Sequence, residues 1–285
     1  MTIGIIGLGL IGGSLAKALK ERSAHRILGR DRQNVTDFAL SCGAIDGLLS
    51  EENIPGCDVI ITALYPDDTV SEITKLAPYL SKDTVVTDCA GIKEKVCGAL
   101  FPLAREYGFT FIGGHPMAGI ELSGFENARP ELFRGASLIL VPPEDKTARD
   151  EAAIEILSSL AREIGFGRVT LSSAPRHDKI IAYTSQLAHV VSSAYIQSPA
   201  SGEHFGFSAG SFRDLTRVAY LNEAMWCELF LQNKTRLTEE LDALIGRLTE
   251  YSRAIREEDE AALYTLLHRG KEMKTESERQ FSPTK

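Results

Sequence analysis

The stretch GIIGLGLIGGSLAKAL, Gly4 to Leu19, restricts the possible folds of this chain more than any other. Gly7, Gly9 and Gly12 stand in G-x-G-x-x-G spacing, after the apolar run Thr2 to Ile6 and before a helical run, Ser14 to Lys20. The spacing alone is a weak signal. Between a strand and a helix each glycine serves a separate purpose, with a tight turn at Gly7, backbone approach to a pyrophosphate at Gly9, and close helix-to-strand packing at Gly12. Leu8, Leu10 and Ile11 fill the same loop, and the helix N-terminus beyond it receives negative charge. Ile27 to Gly29 returns as a second strand ending at Arg30 and Asp31. The Asp31 carboxylate suits the adenosine ribose hydroxyls and repels a 2′-phosphate, which favours NAD over NADP. Arg30 and Arg32 pull the other way, and flavin is a lesser option with no second signal.

Further short apolar runs, Val59 to Ala63, Thr84 to Thr87, Thr110 to Ile112, Ser137 to Val141 and Arg168 to Leu171, alternate with the helical spacings Val70 to Tyr79, Lys93 to Tyr107 and Ala148 to Ile164. That alternation predicts a mostly parallel sheet covered by helices, an α/β Rossmann-type dinucleotide domain over residues 1–172. From His177 onward strand signals fade. Long apolar periodicities over Ile180 to Ile196, Ser211 to Tyr220 and Asn222 to Arg247, with a last run through Leu267, predict an all-helical C-terminal domain over 173–285, its tail fraying beyond Lys274. Few, long, amphipathic helices of this kind call for a partner, so a homodimer through the C-terminal helices is expected.

With a formal net charge of -8 the chain exerts no general pull on nucleic acid or on an anionic membrane surface. An anionic substrate would need locally placed arginines. The apolar start lacks a basic first segment and reaches Lys17 inside its run, which argues against a secretory leader. No apolar run is long enough to span a bilayer. Cys42, Cys57, Cys89, Cys97 and Cys227 form no metal or disulfide pattern, and fit a reducing cytoplasm.

In an open α/β sheet, ligands sit outside the C-terminal strand ends. The loops Leu64 to Asp68, Asp88 to Lys93 and Gly113 to Gly124 are therefore expected to face one crevice, with Leu64 and Asp88 toward the cofactor. The third loop holds His115. Histidine is the side chain best matched to proton transfer near neutral pH, and Pro116 holds its backbone extended. Gly113, Gly114, Ala118 and Gly119 read as clearance for ligands. A satisfied histidine in a tight turn is the plain alternative. Farther on, Gln186 and His189 lie three apart on a predicted helix and share a face. Arg213 and Arg217 lie four apart on another, where a guanidinium could hold a carboxylate in two-pronged fashion. Arg217 ranks above Arg213.

These residues stand in motifs that resemble the prephenate and arogenate dehydrogenase family: GHPMAG at Gly114 to Gly119 with Glu121 and SGFENA following, RHD at Arg176 to Asp178, QLAHVV at Gln186 to Val191, and GSFRDLTRVA at Gly210 to Ala219 with Met225 and Trp226. The resemblance runs from Gly7 to about Asn233. It implies an N-terminal NAD domain, a helical dimerisation domain and an active site between them, needing no metal. It implies that His115 is the catalytic base, His189 attends the substrate's carboxylate or carbonyl end, and Arg217 clamps the ring carboxylate. Glu121 would gate the mouth, Trp226 would wall it, and His177 and Asp178 would join the hydrogen-bond network. Gly91 stands where such proteins often carry a serine beside the catalytic histidine. The implied reaction is oxidative decarboxylation of prephenate to 4-hydroxyphenylpyruvate with hydride transfer to NAD. Arogenate as substrate, a β-hydroxyacid dehydrogenase, which would use a lysine on the first long helix of the second domain, and a nonenzymatic NAD-binding regulator are the alternatives.

Overall fold

The computed structural model describes residues 1–120 and 122–281, the side chains of 280 and 281 excepted; Glu121 lies outside the described residues. Packing divides the chain into two compact units, Met1–Lys234 and Thr235–Lys285.

The first unit is built on an eight-stranded sheet: β1 (Thr2–Ile6), β2 (Arg26–Arg30), β3 (Gly47–Leu48), β4 (Val59–Thr62), β5 (Val85–Asp88), β6 (Thr110–Pro116), β7 (Ser137–Val141) and β8 (Arg168–Leu171), in spatial order 3-2-1-4-5-6-7-8. All neighbours are parallel except β6 and β7. Helices α1 (Leu10–Arg22), α2 (Gln33–Ser41), α3 (Pro66–Leu76), α4 (Glu94–Tyr107) and α5 (Ala148–Ile164) cover it. The central strands read as unbroken apolar runs because both faces are buried. Ile3, Ile5, Val85 and Ile112 join Leu15, Leu19, Leu157 and Leu160 of α1 and α5 in one core. Ile6, Ile60, Val86 and Phe111 join Ile73, Val96 and Leu100 of α3 and α4 in the other. Thr147 and Asp150 form a reciprocal cap at the start of α5, and Gly165 ends it in the left-handed region at φ +104°.

Beyond Leu171 the described residues form no strand. Helix α6 (Ala174–Ile181) runs through a π-helical turn, Ala182–Gln186, into α7 (Leu187–Ile196). Then come α8 (Gly210–Thr216), a tight turn Arg217–Ala219 and α9 (Glu223–Gln232). The chain is thus a Rossmann-type α/β domain followed by an all-helical region. In the second unit, residues of α10 (Lys234–Arg256) pair with α11 (Glu260–Phe281) through Arg269 and Glu250 at 3.1 Å. No helix among the described residues is long and apolar enough to cross a membrane.

Several local expectations change. The strand β6 runs on through His115 and Pro116, because β7 pairs antiparallel with it, His115 opposite Ile139. The histidine therefore stands on a strand, not in a loop. Helix α2 and the two-residue β3 carried no readable apolar pattern. Helix α11 continues past Lys274 to Phe281 instead of fraying.

Candidate active site

The glycine loop behaves as three different glycines. Gly7 has φ +87°, and a Cβ on it would stand 2.6 Å from the Ala63 carbonyl oxygen. A Cβ on Gly12 would collide with the carbonyl of Gly7, so only glycine lets α1 approach the turn. At Gly9 a Cβ would meet nothing within 4 Å, the open side where a pyrophosphate fits. No side chain caps α1 and no acid occupies its first turn, so the positive helix end is left to an outside anion. Leu10 and Ile11, half-buried, form that first turn. Leu8 contributes only backbone: its side chain lies in the core, and its N–H donates to Asp31 Oδ2 at 2.6 Å. Asp31 Oδ1 accepts from the Arg32 N–H at 2.7 Å, and each oxygen keeps a second lone pair for a ribose hydroxyl. Glu72 holds Arg30 at 3.1 Å. Leu64 packs against Gly7, its Cδ2 2.8 Å from where that residue's Cβ would be. These residues fit a dinucleotide.

Asp88 does not reach open space. It is buried, and its carboxylate accepts from Ala90 N–H at 2.9 Å, Gly114 N–H at 3.0 Å and the Lys93 ammonium. Lys93 is fully buried beside it. Nor do Gly113 and Gly114 clear room for ligand. Side chains there would strike Cys97 Sγ and Lys93, and the Asp88 carbonyl, so these glycines let β6 lie against β5 and α4. Gly119 alone of the three glycines faces open space.

A line of side chains leads away from this buried ion pair. His115 Nδ1 lies 2.8 Å from His177 Nε2, and His177 Nδ1 lies 2.6 Å from Asp178 Oδ1. Asp178 Oδ1 also accepts from Lys93 N–H at 2.7 Å and Oδ2 from Glu94 N–H at 2.8 Å, so the carboxylate caps the N-terminus of α4. An ionised carboxylate only accepts, which makes His177 Nδ1 the donor and His177 Nε2 the acceptor. The N–H on His115 Nδ1 then donates to His177, and His115 Nε2 keeps its lone pair. Burial, then the neighbouring His177 and the Lys93 charge, hold His115 well below the ordinary histidine value. Burial also lowers His177, with its hydrogen bond to Asp178 working against that and Lys93 adding to it. Both rings are neutral near pH 7, and Asp178 leaves the cluster one negative charge that an incoming proton would balance.

The remaining predicted residues form a second group. His189 Nδ1–H donates to the Val218 carbonyl at 3.0 Å, and its ring centroid lies 3.9 Å from that of Trp226. This ties α7 to the turn that begins at Arg217. Arg213 and Arg217 are exposed, and α8 ends between them, with a kink at Val218. Gln186 does not share an open face with His189. It is buried, its amide donates to the Leu229 carbonyl at 3.1 Å and accepts from Asn233 Nδ2 at 2.7 Å. The i, i+3 spacing holds, because 186–189 are α-helical, but Leu229 and Asn233 cover the Gln186 end of that face. Asn233 also donates to the Asp178 carbonyl at 2.9 Å and so links the two groups. A Cβ on Gly91 would stand 3.3 Å from Leu229 Cδ2. Lys93 and Asn233 escaped the sequence reading: neither stands in a motif whose spacing announces a buried partner.

Comparison with known proteins decides the family. A pattern described as the prephenate dehydrogenase nucleotide-binding domain matches residues 15–170, and one described as the prephenate dehydrogenase dimerization domain matches 173–269. The chain belongs to the prephenate dehydrogenase family. It is 31% identical over 275 residues to prephenate dehydrogenase of Bacillus subtilis, spanning 92% of this chain and 72% of that one. The structure of Aquifex aeolicus prephenate dehydrogenase in complex with hydroxyphenyl propionate and NAD+ superposes with a TM-score of 0.81 at 29% identity, over 97% of this chain and 98% of the other. Synechocystis arogenate dehydrogenase superposes with a TM-score of 0.80 at 27% identity, over 97% of this chain and all of the other. Family membership makes the chain an NAD-binding oxidoreductase, and its residues 173–269 match a dimerization domain.

Proposed function

We propose that the protein is an NAD-dependent prephenate dehydrogenase that converts prephenate to 4-hydroxyphenylpyruvate with His115 as the base. The observation that carries this reading is the Asp178, His177, His115 chain, because it leaves His115 Nε2 unprotonated and aimed away from its buried partners. His115 accepts the proton of the ring hydroxyl, and the charge it gains is balanced by Asp178 through His177. NAD held by the glycine cradle would supply the hydride acceptor for the same ring carbon. Loss of the ring carboxylate as carbon dioxide then gives the aromatic ring, and aromatisation drives the sequence forward.

In this reading Arg217 clamps the ring carboxylate, with Arg213 at the rim, and His189, braced by Trp226, attends the other end of the substrate. Glu121 gates the mouth. Gly7 to Gly12, Arg30, Asp31 and Leu64 serve the dinucleotide. Residues 1–172 carry the cofactor, and 173–285 carry the substrate and the dimer interface through their helices. The cysteines among the described residues are all free, in keeping with a reducing cytoplasm. Lys179, the lysine at the start of the first helices of this region, is exposed beside buried His177 and Asp178, which disfavours a β-hydroxyacid dehydrogenase. The test is to mix the protein with NAD and prephenate, or arogenate, and follow absorbance of the reduced cofactor. Turnover with prephenate at the higher kcat/KM is expected; preference for arogenate reverses the substrate assignment, and no reduction with either overturns the reading.

A further inference from the structure

Helix α9 and the residue after it reach both groups of side chains on the substrate side of the site. Its Trp226 packs against His189, its Leu229 carbonyl takes the Gln186 amide, and Asn233 just beyond it holds Asp178. One contact of α9 serves none of these. Glu228 Oε1 accepts the backbone N–H of Asp67 at 3.0 Å, and Gln232 Nε2 donates to the same oxygen at 3.0 Å.

Asp67 lies in the first turn of α3, a helix that begins with Pro66 and has no side-chain cap of its own. A carboxylate from another part of the fold thus does what a local N-cap does elsewhere, where the helix dipole favours negative charge. Asp67 is itself paired with Lys95 of α4, so three helices meet at this point. The segment leading into α3 is the one that supports the glycine turn: the Ala63 carbonyl and the Leu64 side chain stand against Gly7. A continuous path therefore runs from the dinucleotide cradle through Leu64 and Pro66 to the Asp67 amide, across to Glu228, and along α9 to Trp226 and His189.

We propose that Glu228 is a positioning residue that couples the two ends of the site, so that NAD in the glycine cradle sets α9 and with it the His189 and Trp226 pair that meets substrate. This rests on the functional reading above. The coupling is reciprocal: whatever factor NAD adds to substrate affinity, substrate adds to NAD affinity.

Trp226 is the only tryptophan in the chain, so its emission reports on α9 directly. The experiment titrates the full-length protein with NAD alone, reading tryptophan emission under excitation at the red edge and heat by calorimetry. It then repeats the calorimetry with saturating 4-hydroxyphenylpyruvate. The wild type is expected to change emission on binding NAD, and to bind NAD more tightly with the ketoacid by about 5-fold or more, within the usual range of site-to-site coupling. In Glu228→Leu the emission change and the coupling should both collapse while NAD still binds. Glu228→Gln, which keeps an acceptor for the Asp67 amide, should restore both. Should Glu228→Leu fail to fold, Glu228→Ala takes its place.

Wild-type emission that stays constant while calorimetry records NAD binding overturns the proposal, as does a Glu228→Leu protein that keeps the full response. A merely structural role would lower the melting temperature without separating emission from binding. Absence of NAD binding by calorimetry in the wild type would count against the functional reading itself, an outcome distinct from both.

Discussion

The glycine cradle and the His115 cluster do their work with opposite materials. The cradle offers backbone: a positive-φ turn at Gly7, open space at Gly9 and an uncapped helix end. Its residues lie within a few positions of one another, so its chemistry follows from local order. The base cluster is made of side chains from β5, β6, the start of α4 and α6, brought together only by the completed sheet and the helices laid on it. Backbone recognition tolerates change in every side chain that leaves the path clear. A relay of side chains tolerates almost none, because each member fixes the protonation of the next.

The sharpest way to break this contrast is at its chemical end. Replacing His115 with Asn should lower kcat by roughly 100- to 10,000-fold, the range of general-base catalysis, with NAD affinity by calorimetry nearly unchanged. Near-normal turnover would remove His115 from the mechanism. Asp178→Asn comes next. The amide sets donor against donor at either the His177 ring or the α4 amides, and withdraws the charge that balances the imidazolium. A fall in kcat of roughly 10- to 100-fold is expected, the scale of one charge-assisted hydrogen bond of about 1.5–3 kcal/mol, with KM for NAD little moved. A change confined to KM for NAD would mean that the chain of hydrogen bonds only braces the fold.

At the backbone end, two glycines three residues apart should fail differently. Gly12→Ala should destabilise the protein by about 1–3 kcal/mol or more, since the new methyl has a rigid carbonyl in front of it. Gly9→Ala should leave the melting temperature within the scatter of surface changes, about 0.5 kcal/mol, and weaken NAD by roughly tenfold, or about 1.4 kcal/mol. Equal losses of stability at both positions would show that the loop is a structural turn with no ligand side.

The same contrast explains what the sequence reveals. Strands β1, β7 and β8 and helix α5 follow from local apolar patterns, and the cradle from spacing. His115 itself is visible as a histidine fixed by a proline, yet its place on β6 depends on pairing with β7, some twenty-five residues later, which no local pattern carries. Asp88 looks like a cofactor residue because it ends a central strand. Only the fold shows that Lys93, five residues on, turns back to take it. Gln186 loses its expected open face to Leu229 and Asn233, more than forty residues on, partners that helical periodicity cannot register.

The mildest test compares the two regions by pH, because the cradle binds through backbone and the relay through two titrating rings. His115 and His177 both bind protons less readily in the folded protein than at the ordinary value of 6.5. Between that value and their folded ones the unfolded chain holds more protons, so stability is full above about pH 6.5 and declines as pH falls toward the folded values. Activity should follow the same groups. The acidic limb of kcat/KM should lie below the usual histidine range, since His115 stays a free base there, while NAD affinity through the backbone cradle should remain flat over that span. A limb at or above 6.5 would mean that a group outside the relay controls the rate. His189, held against Val218 and Trp226, would then be the first to replace, and loss of the limb in that variant would move the base from the relay to α7.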